Sequence, residues 1–385
     1  MTAPVPAPAI DRAAPLNVLR EEIRAQPSYV VAPSAGLVKL DAMENPYPLP
    51  ASLPDGMREQ FAHCLATVAL NRYPLPGQAR LKAQLATRAG VPAGFDLLLG
   101  NGSDEIIAML SSAVARPGAV ILAPLPGFVM YEASARLAGC TFVGIPLRED
   151  FSLDLDALCL AIRRDRPSVI WLAHPNNPTG NAFDAQAIET ILRVAHEAGA
   201  GFVVVDEAYR PFTDHSWMPR LAEFPNLLVM QTLSKLGLAG VRLGYVAGRP
   251  EVLAELDKVR PPYNINVLTE AAAQWILEHA GAVLDAQAAQ IRLDRSDLAM
   301  ALGAIDGVQR VFPSEANFLL FRVAQPAPAM AGLRARGVLI KDVSRAHPLL
   351  AGCLRVTVGT APENAVFLDA LHAVLDGAQT APANP

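Results

Sequence analysis

From Asp96 to Val246 short apolar runs alternate with longer stretches of helical periodicity. The runs FDLLLG, AVILAP, TFVGIP, SVIWLA, FVVVDEA and NLLVMQT are rich in Val, Ile and Leu and read as strands. Between them SDEIIAMLSSAVA, FVMYEASARLAG, DLDALCLAIRRD and DAQAIETILRVAHEAG set apolar residues three and four apart and read as helices. Several strands are apolar on both faces, as a mostly parallel sheet covered by helices on both sides requires. From about residue 265 the pattern changes. One long helical stretch covers LTEAAAQWILEHAGAVLDAQAAQIRLDRSDLAMALGAI; short strands VQRVF, NFLLFRV, GVLIKDV and CLRVTVG follow, then a last helix near PENAVFLDALHAVLDG. The expected fold is α/β, with a large sheet domain over 51–265, a smaller α+β domain over 266–385, and an N-terminal arm over 1–50 that begins the small domain.

Bulk properties remove several classes of function. A chain of 385 residues is too long for one minimal core. With 52% apolar and 18% charged residues it fits a soluble globular enzyme. A net charge of -5 argues against a nucleic-acid binder, which needs a basic face. Cys64, Cys140, Cys159 and Cys353 form no C-x-x-C pair, so neither a zinc ribbon nor a redox motif is indicated, and scattered thiols suit a reducing cytoplasm. The seven histidines show no H-x-x-x-H, so metal catalysis has no support. The start, MTAPVPAPAI, lacks the basic and apolar regions of a signal peptide, and no run approaches the roughly 20 residues needed to cross a bilayer. Residues 1 to about 14 and the tail GAQTAPANP read as mobile ends.

Candidate chemistry gathers where the strands end, the place where open α/β sheets bind ligands. In QTLSKLGLAGVRLGY a lone ammonium, Lys235, stands among apolar residues and glycines, near Thr232, Ser234 and Arg242. It marks either a solvated turn between strands or a lysine held for covalent chemistry beside an anion. LLLGNGSDE is a strand, a glycine-rich turn and a helix start: either an anion cup of free N–H groups or an ordinary turn capped by Ser103 or Asp104. Glu105 stands where a dinucleotide fingerprint needs glycine, and the G-K-[ST] of a Walker loop is absent. In WLAHPNNPTG a turn presents Asn177, both donor and acceptor, and a cis Asn177–Pro178 bond would fix its direction. In FVVVDEAYRPF, Asp206 ends an apolar strand, where a carboxylate needs a cap, an ion pair or a ligand cation; Tyr209 follows three residues on. Asn177, Asp206 and Lys235 are spaced by 29 residues each. Together with the anion-binding elements they describe a pocket for a ligand bearing a phosphate, a basic ring nitrogen and an aldehyde, as pyridoxal 5'-phosphate does.

The motifs ENPYPLP, LNRYPLPG, GNGSDE, PNNPTG, VVVDEAYRPF, TLSK…LAGVRLGY and LRVTVGT occur in this order from residue 44 to 360. The set resembles the fold-type-I pyridoxal-phosphate-dependent aminotransferases and is most similar to the histidinol-phosphate aminotransferases. The resemblance implies that Lys235 forms the internal Schiff base and then acts as base, in ping-pong kinetics with 2-oxoglutarate as amino acceptor. It implies that Asp206 pairs with the pyridinium nitrogen, that Asn177 and Tyr209 bond the ring oxygen, and that Phe128 packs on the ring. The phosphate would take N–H groups of Ser103 and Asp104, hydroxyls of Thr232 and Ser234, and the Arg242 guanidinium. Tyr73 would reach that phosphate from a partner subunit, making the active form a homodimer with shared sites. Arg355, Lys341 and Tyr29 would face the substrate, Tyr29 closing the site.

Three positions depart from the family pattern. Lys235 and Arg242 are seven residues apart rather than eight, Lys341 replaces a substrate-phosphate arginine, and Met43 replaces a frequent asparagine. Lysine brings charge without a bidentate fork. Two neighbouring readings keep the cofactor: an aromatic or broad-range aminotransferase, and a threonine-phosphate decarboxylase. A regulator that merely binds the cofactor would need a DNA-binding segment, and none is seen.

Overall fold

The computed structural model describes residues 14–379 except Tyr29 and Pro76; residues 1–13 and 380–385, within the predicted mobile ends, lie outside the described residues. The central sheet has seven strands. In spatial order they are Asp96–Gly100, Gly244–Gly248, Leu227–Thr232, Phe202–Asp206, Val169–Ala173, Val120–Leu125 and Thr141–Pro146. Six run the same way; Gly244–Gly248 is antiparallel to both neighbours.

Alternation along each strand divides the core in two. Leu98, Ile121, Trp171, Val204, Met230 and Val246 pack on one face with the helices Ser103–Ala113, Val129–Leu137 and Pro250–Asp257. Leu97, Leu99, Leu122, Ile170, Val203, Val205 and Val229 pack on the other, with Ala79–Ala89, Leu155–Asp165, Ala185–Glu197 and Val267–His279. Fully buried Ile121, Ile170 and Val203–205 each contribute about 1.5–3 kcal/mol of apolar burial. Helix starts are set by side-chain caps: Asp154 accepts from Ala157 N–H at 3.2 Å and Asp184 from Ala187 N–H at 2.9 Å.

A second, antiparallel sheet runs Lys341–Asp342, Cys353–Thr357, Phe318–Val323, Val308–Val311. Helices Gly281–Gly303, Pro326–Ala335 and Ala361–Gln379 cover it through Ile291, Leu298, Leu302, Leu333, Phe367 and Leu371. The N-terminal pair Val38–Lys39 runs parallel to Val338–Leu339.

Beyond residue 265 three elements differ from the sequence reading. The long helical stretch is two helices, broken at Ala280 (φ −121°), because Trp275 and Ile276 pack on the large-sheet core while Ile291 and Leu298 pack beside the small sheet. GVLIKDV is two short strands, one paired with Val38–Lys39 and one with Cys353–Thr357. The segment Pro326–Ala335 is a helix that prolines and weak periodicity hide, its first proline tolerated at the start where no N–H bond is lost. Among the described residues, no helix is long and apolar enough to cross a membrane, and no group of His, Cys, Asp or Glu could hold a metal ion.

Candidate active site

The tips of the strands ending at Gly100, Ala173, Asp206 and Thr232 border one cavity, and the side chains named at those tips converge on it. Lys235 follows the strand Leu227–Thr232, within a wide turn over Ser234–Leu238 that Gly237 relieves at φ 133°. Its Nζ donates to the Ala42 carbonyl at 3.0 Å. Burial, aided by the nearby Arg355 cation, lowers its pKa to about 8. This is a lysine at a cavity wall, not in a solvated turn.

Asp206 is 4% exposed and makes no ion pair among the described residues. Oδ1 accepts from Ala208 N–H at 3.0 Å and Oδ2 from the Tyr131 hydroxyl at 2.6 Å. Burial pushes its pKa up to about 6, against these two bonds, which pull it down. Tyr131 was not singled out from the sequence. It stacks on Trp171 (4.8 Å, 6°) and meets Phe128 edge-on (5.5 Å, 85°), so one side chain links the carboxylate to the aromatic wall. Its phenol pKa is raised by burial, which keeps it a donor.

Asn177 is buried, and its peptide bond to Pro178 is cis. Its Oδ1 accepts from Arg355 Nη1 at 2.6 Å, and its side chain is hydrogen-bonded to Tyr209. Arg355 is 7% exposed, also donates to the Asp41 carbonyl at 3.0 Å, and lies over the Phe318 ring at 5.3 Å. Alternation along Cys353–Thr357 therefore turns Arg355 inward rather than to solvent.

The candidate anion cup rests on close approach. The helix Ser103–Ala113 starts after Gly102, whose φ is 82° and whose added Cβ would fall 2.6 Å from Arg242 Nη2. A Cβ on Gly244 would fall 2.8 Å from Ser103 N. Arg242, at φ 55°, puts Nη2 3.9 Å from Asp104 Oδ2. Thr232 Oγ1 lies 3.0 Å from Ser234 Oγ and accepts from Ser234 N–H at 3.2 Å. The shortened Lys235–Arg242 segment is accommodated as one wide turn, Ser234–Leu238, followed directly by a tight one, Ala239–Val241.

Phe128, Ser103, Asp104, Tyr209, Thr232, Ser234 and Arg242 thus line the cavity that Lys235 and Asp206 define. Lys341 lines an adjoining cavity that shares Asn177, Phe128 and Met43, and its Cα faces Arg355 across the strand pair. Tyr73 is not at this cavity: it is 77% exposed and stacks on Tyr263 at 4.5 Å. Tyr29 lies outside the described residues.

A family model for aminotransferase class I and II matches residues 35–371. Histidinol-phosphate aminotransferase 1 of Ralstonia nicotianae is 58% identical over 93% of this chain and 95% of its own. Histidinol-phosphate aminotransferase 2 of Cupriavidus pinatubonensis is 58% identical over 93% and 97%. The chain belongs to the histidinol-phosphate aminotransferases, a family of class I and II aminotransferases. Among solved structures, the histidinol-phosphate aminotransferase of Sinorhizobium meliloti, in complex with pyridoxal-5'-phosphate, superposes with a TM-score of 0.79 at 23% identity, covering 94% of this chain and 98% of that one, and shows the shared fold.

In this aminotransferase the residues present fit pyridoxal phosphate. The amine of Lys235 is held by one carbonyl, the Asp206 carboxylate is buried without a protein cation against it, and the Gly102 cradle puts N–H groups beside Arg242. Those three features match an aldehyde, a basic ring nitrogen and a phosphate.

Proposed function

We propose that the protein transfers the amino group of histidinol phosphate to 2-oxoglutarate, as a step of L-histidine biosynthesis, with pyridoxal phosphate held at Lys235. The carrying observation is the convergence of Lys235 Nζ, the buried Asp206 carboxylate and the Gly102–Arg242 cup on one cavity. Bound pyridoxal phosphate supplies an aldehyde that condenses with amines and a ring that accepts electron density from the substrate Cα.

The chain's own residues do the rest. Lys235, with a pKa near 8, has a usable neutral fraction at neutral pH and so can take and return the Cα proton. Asp206 holds a proton on the ring nitrogen; the cation there in turn favours the carboxylate that burial disfavours. Tyr131 keeps that carboxylate oriented. Asn177 and Tyr209 hydrogen-bond the ring oxygen, and Phe128 covers the ring face. N–H groups of Ser103 and Asp104, the hydroxyls of Thr232 and Ser234, and Arg242 hold the phosphate. Arg355 takes the carboxylate of the oxo acid and, with Lys341, the donor's phosphate; Tyr29 closes the site.

Tyr73, exposed on its own chain, reaches the phosphate of a second copy, so the working form is a homodimer with shared sites. The division into lobes at 51–265 and 266–385 and a cytoplasmic location belong to the same proposal. A panel of amino donors with 2-oxoglutarate tests it. Histidinol phosphate should exceed phenylalanine and tyrosine in kcat/KM by at least about tenfold, a difference of roughly 1.4 kcal/mol. Equal or higher values for the aromatic donors would favour the broad-range reading, and carbon dioxide release from O-phosphothreonine without any oxo acid would favour the decarboxylase.

A further inference from the structure

We propose that His347 is a specificity residue whose Nε2–H, with the Lys341 ammonium, grips the anionic group at the far end of the amino donor. This rests on the reading above, that the donor is a phosphorylated amine. The cavity adjoining the cofactor pocket, of about 350 Å3, is lined by Lys341, His347, Arg355, Glu132 and Asp342 among apolar residues. Its acids are engaged: Glu132 accepts from Arg136 at 2.7 and 3.0 Å, and Asp342 accepts from Ser344 N–H at 2.8 Å. Its donors are not. Lys341 has no hydrogen bond or ion pair among the described residues.

His347 is fixed by its own turn. Nδ1 accepts from Leu349 N–H at 3.2 Å, which closes the turn Pro348–Leu350. A neutral ring with Nδ1 accepting carries its proton on Nε2, and Nε2 has no partner among the described residues. Burial lowers the ring's pKa, so the neutral donor form prevails near pH 7. A phosphate monoester presents three acceptor oxygens, and a lysine meets them as one point charge. A second donor six residues along the same segment, lining the same cavity, supplies the direction that the ammonium lacks.

Two substitutions separate the ring's two nitrogens. In His347→Asn the amide oxygen replaces Nδ1 and keeps the turn, while the far donor is lost. In His347→Gln the amide nitrogen reaches the place of Nε2. With 2-oxoglutarate as acceptor, kcat and KM are measured for histidinol phosphate and for histidinol, together with inhibition by inorganic phosphate. In His347→Asn the preference for the phosphorylated donor should fall roughly tenfold, through KM rather than kcat, and phosphate inhibition should weaken in parallel. His347→Gln should recover most of that preference. An unchanged preference in His347→Asn, or an equal loss on both donors, overturns the assignment. A wild-type enzyme indifferent to the donor's phosphate overturns instead the functional reading beneath it.

Discussion

Asp206 shows how one residue's chemistry sets a stability cost. Its folded pKa, about 6, exceeds the ordinary carboxylate value of 3.8 because burial disfavours the charge. A group raised in this way favours folding at low pH, and that contribution is lost as pH rises through 6. At pH 7.5 the buried charge costs the cofactor-free protein roughly 3 kcal/mol, from about two pKa units at 1.36 kcal/mol each. Asp206→Asn should therefore stabilise the apoprotein by about 1–3 kcal/mol at pH 7.5, with a gain that shrinks below pH 4, while turnover falls by orders of magnitude. Denaturant melts at the two pH values check this; a gain independent of pH would place its origin elsewhere. Tyr131→Phe removes the 2.6 Å bond to Asp206. We expect cofactor affinity to weaken about 10–100-fold, as for loss of one charge-assisted bond, with a shifted pH titration of the cofactor's absorption band. An unshifted titration would reduce Tyr131 to a packing residue. The sequence showed Asp206, Lys235 and Asn177 because each follows an apolar run and is out of character there. Tyr131 gave no such signal: it is an aromatic on an amphipathic helix, and its partner is 75 residues away.

At the scale of elements, the proposed anion cup depends on glycines that bring two segments together. Gly102→Ala would meet the Arg242 guanidinium at a backbone conformation that favours glycine. The expected result is a 10–100-fold weaker hold on pyridoxal phosphate with an unchanged far-ultraviolet spectrum; full cofactor retention would contradict the cup. The parallel strands and their helices were legible because burial on both faces writes uninterrupted Val and Ile runs. Less of the second sheet was legible. Ile340 interrupts GVLIKDV so that its halves pair with different partners, and nothing local in the sequence records a partner 300 residues upstream. The antiparallel strand Gly244–Gly248 was hidden by its glycines, which are there because Ser103 N and Leu228 approach its backbone.

The whole molecule is where the sequence said least and the family pattern most. Leu70, Tyr73 and Leu75 are at least 69% exposed, beside a Tyr73–Tyr263 stack, an apolar surface that suits a partner subunit. If Tyr73 acts in trans, mixing Tyr73→Ala with Lys235→Ala subunits forms hybrid dimers with one intact site. Activity should then exceed the sum of the separate variants; no gain on mixing would return Tyr73 to its own chain. The pKa of Lys235 adds a kinetic expectation for the apoenzyme: reloading with cofactor should slow about tenfold per pH unit well below 8, because the neutral amine is the reactive form. A reloading rate flat from pH 6 to 8 would mean the amine is already neutral.

The most direct measurement is borohydride reduction of the purified holoenzyme followed by peptide mass spectrometry. A pyridoxyl adduct on Lys235, and on no other lysine, is the predicted result. A label on another lysine, or none after saturation with pyridoxal phosphate, would contradict the account.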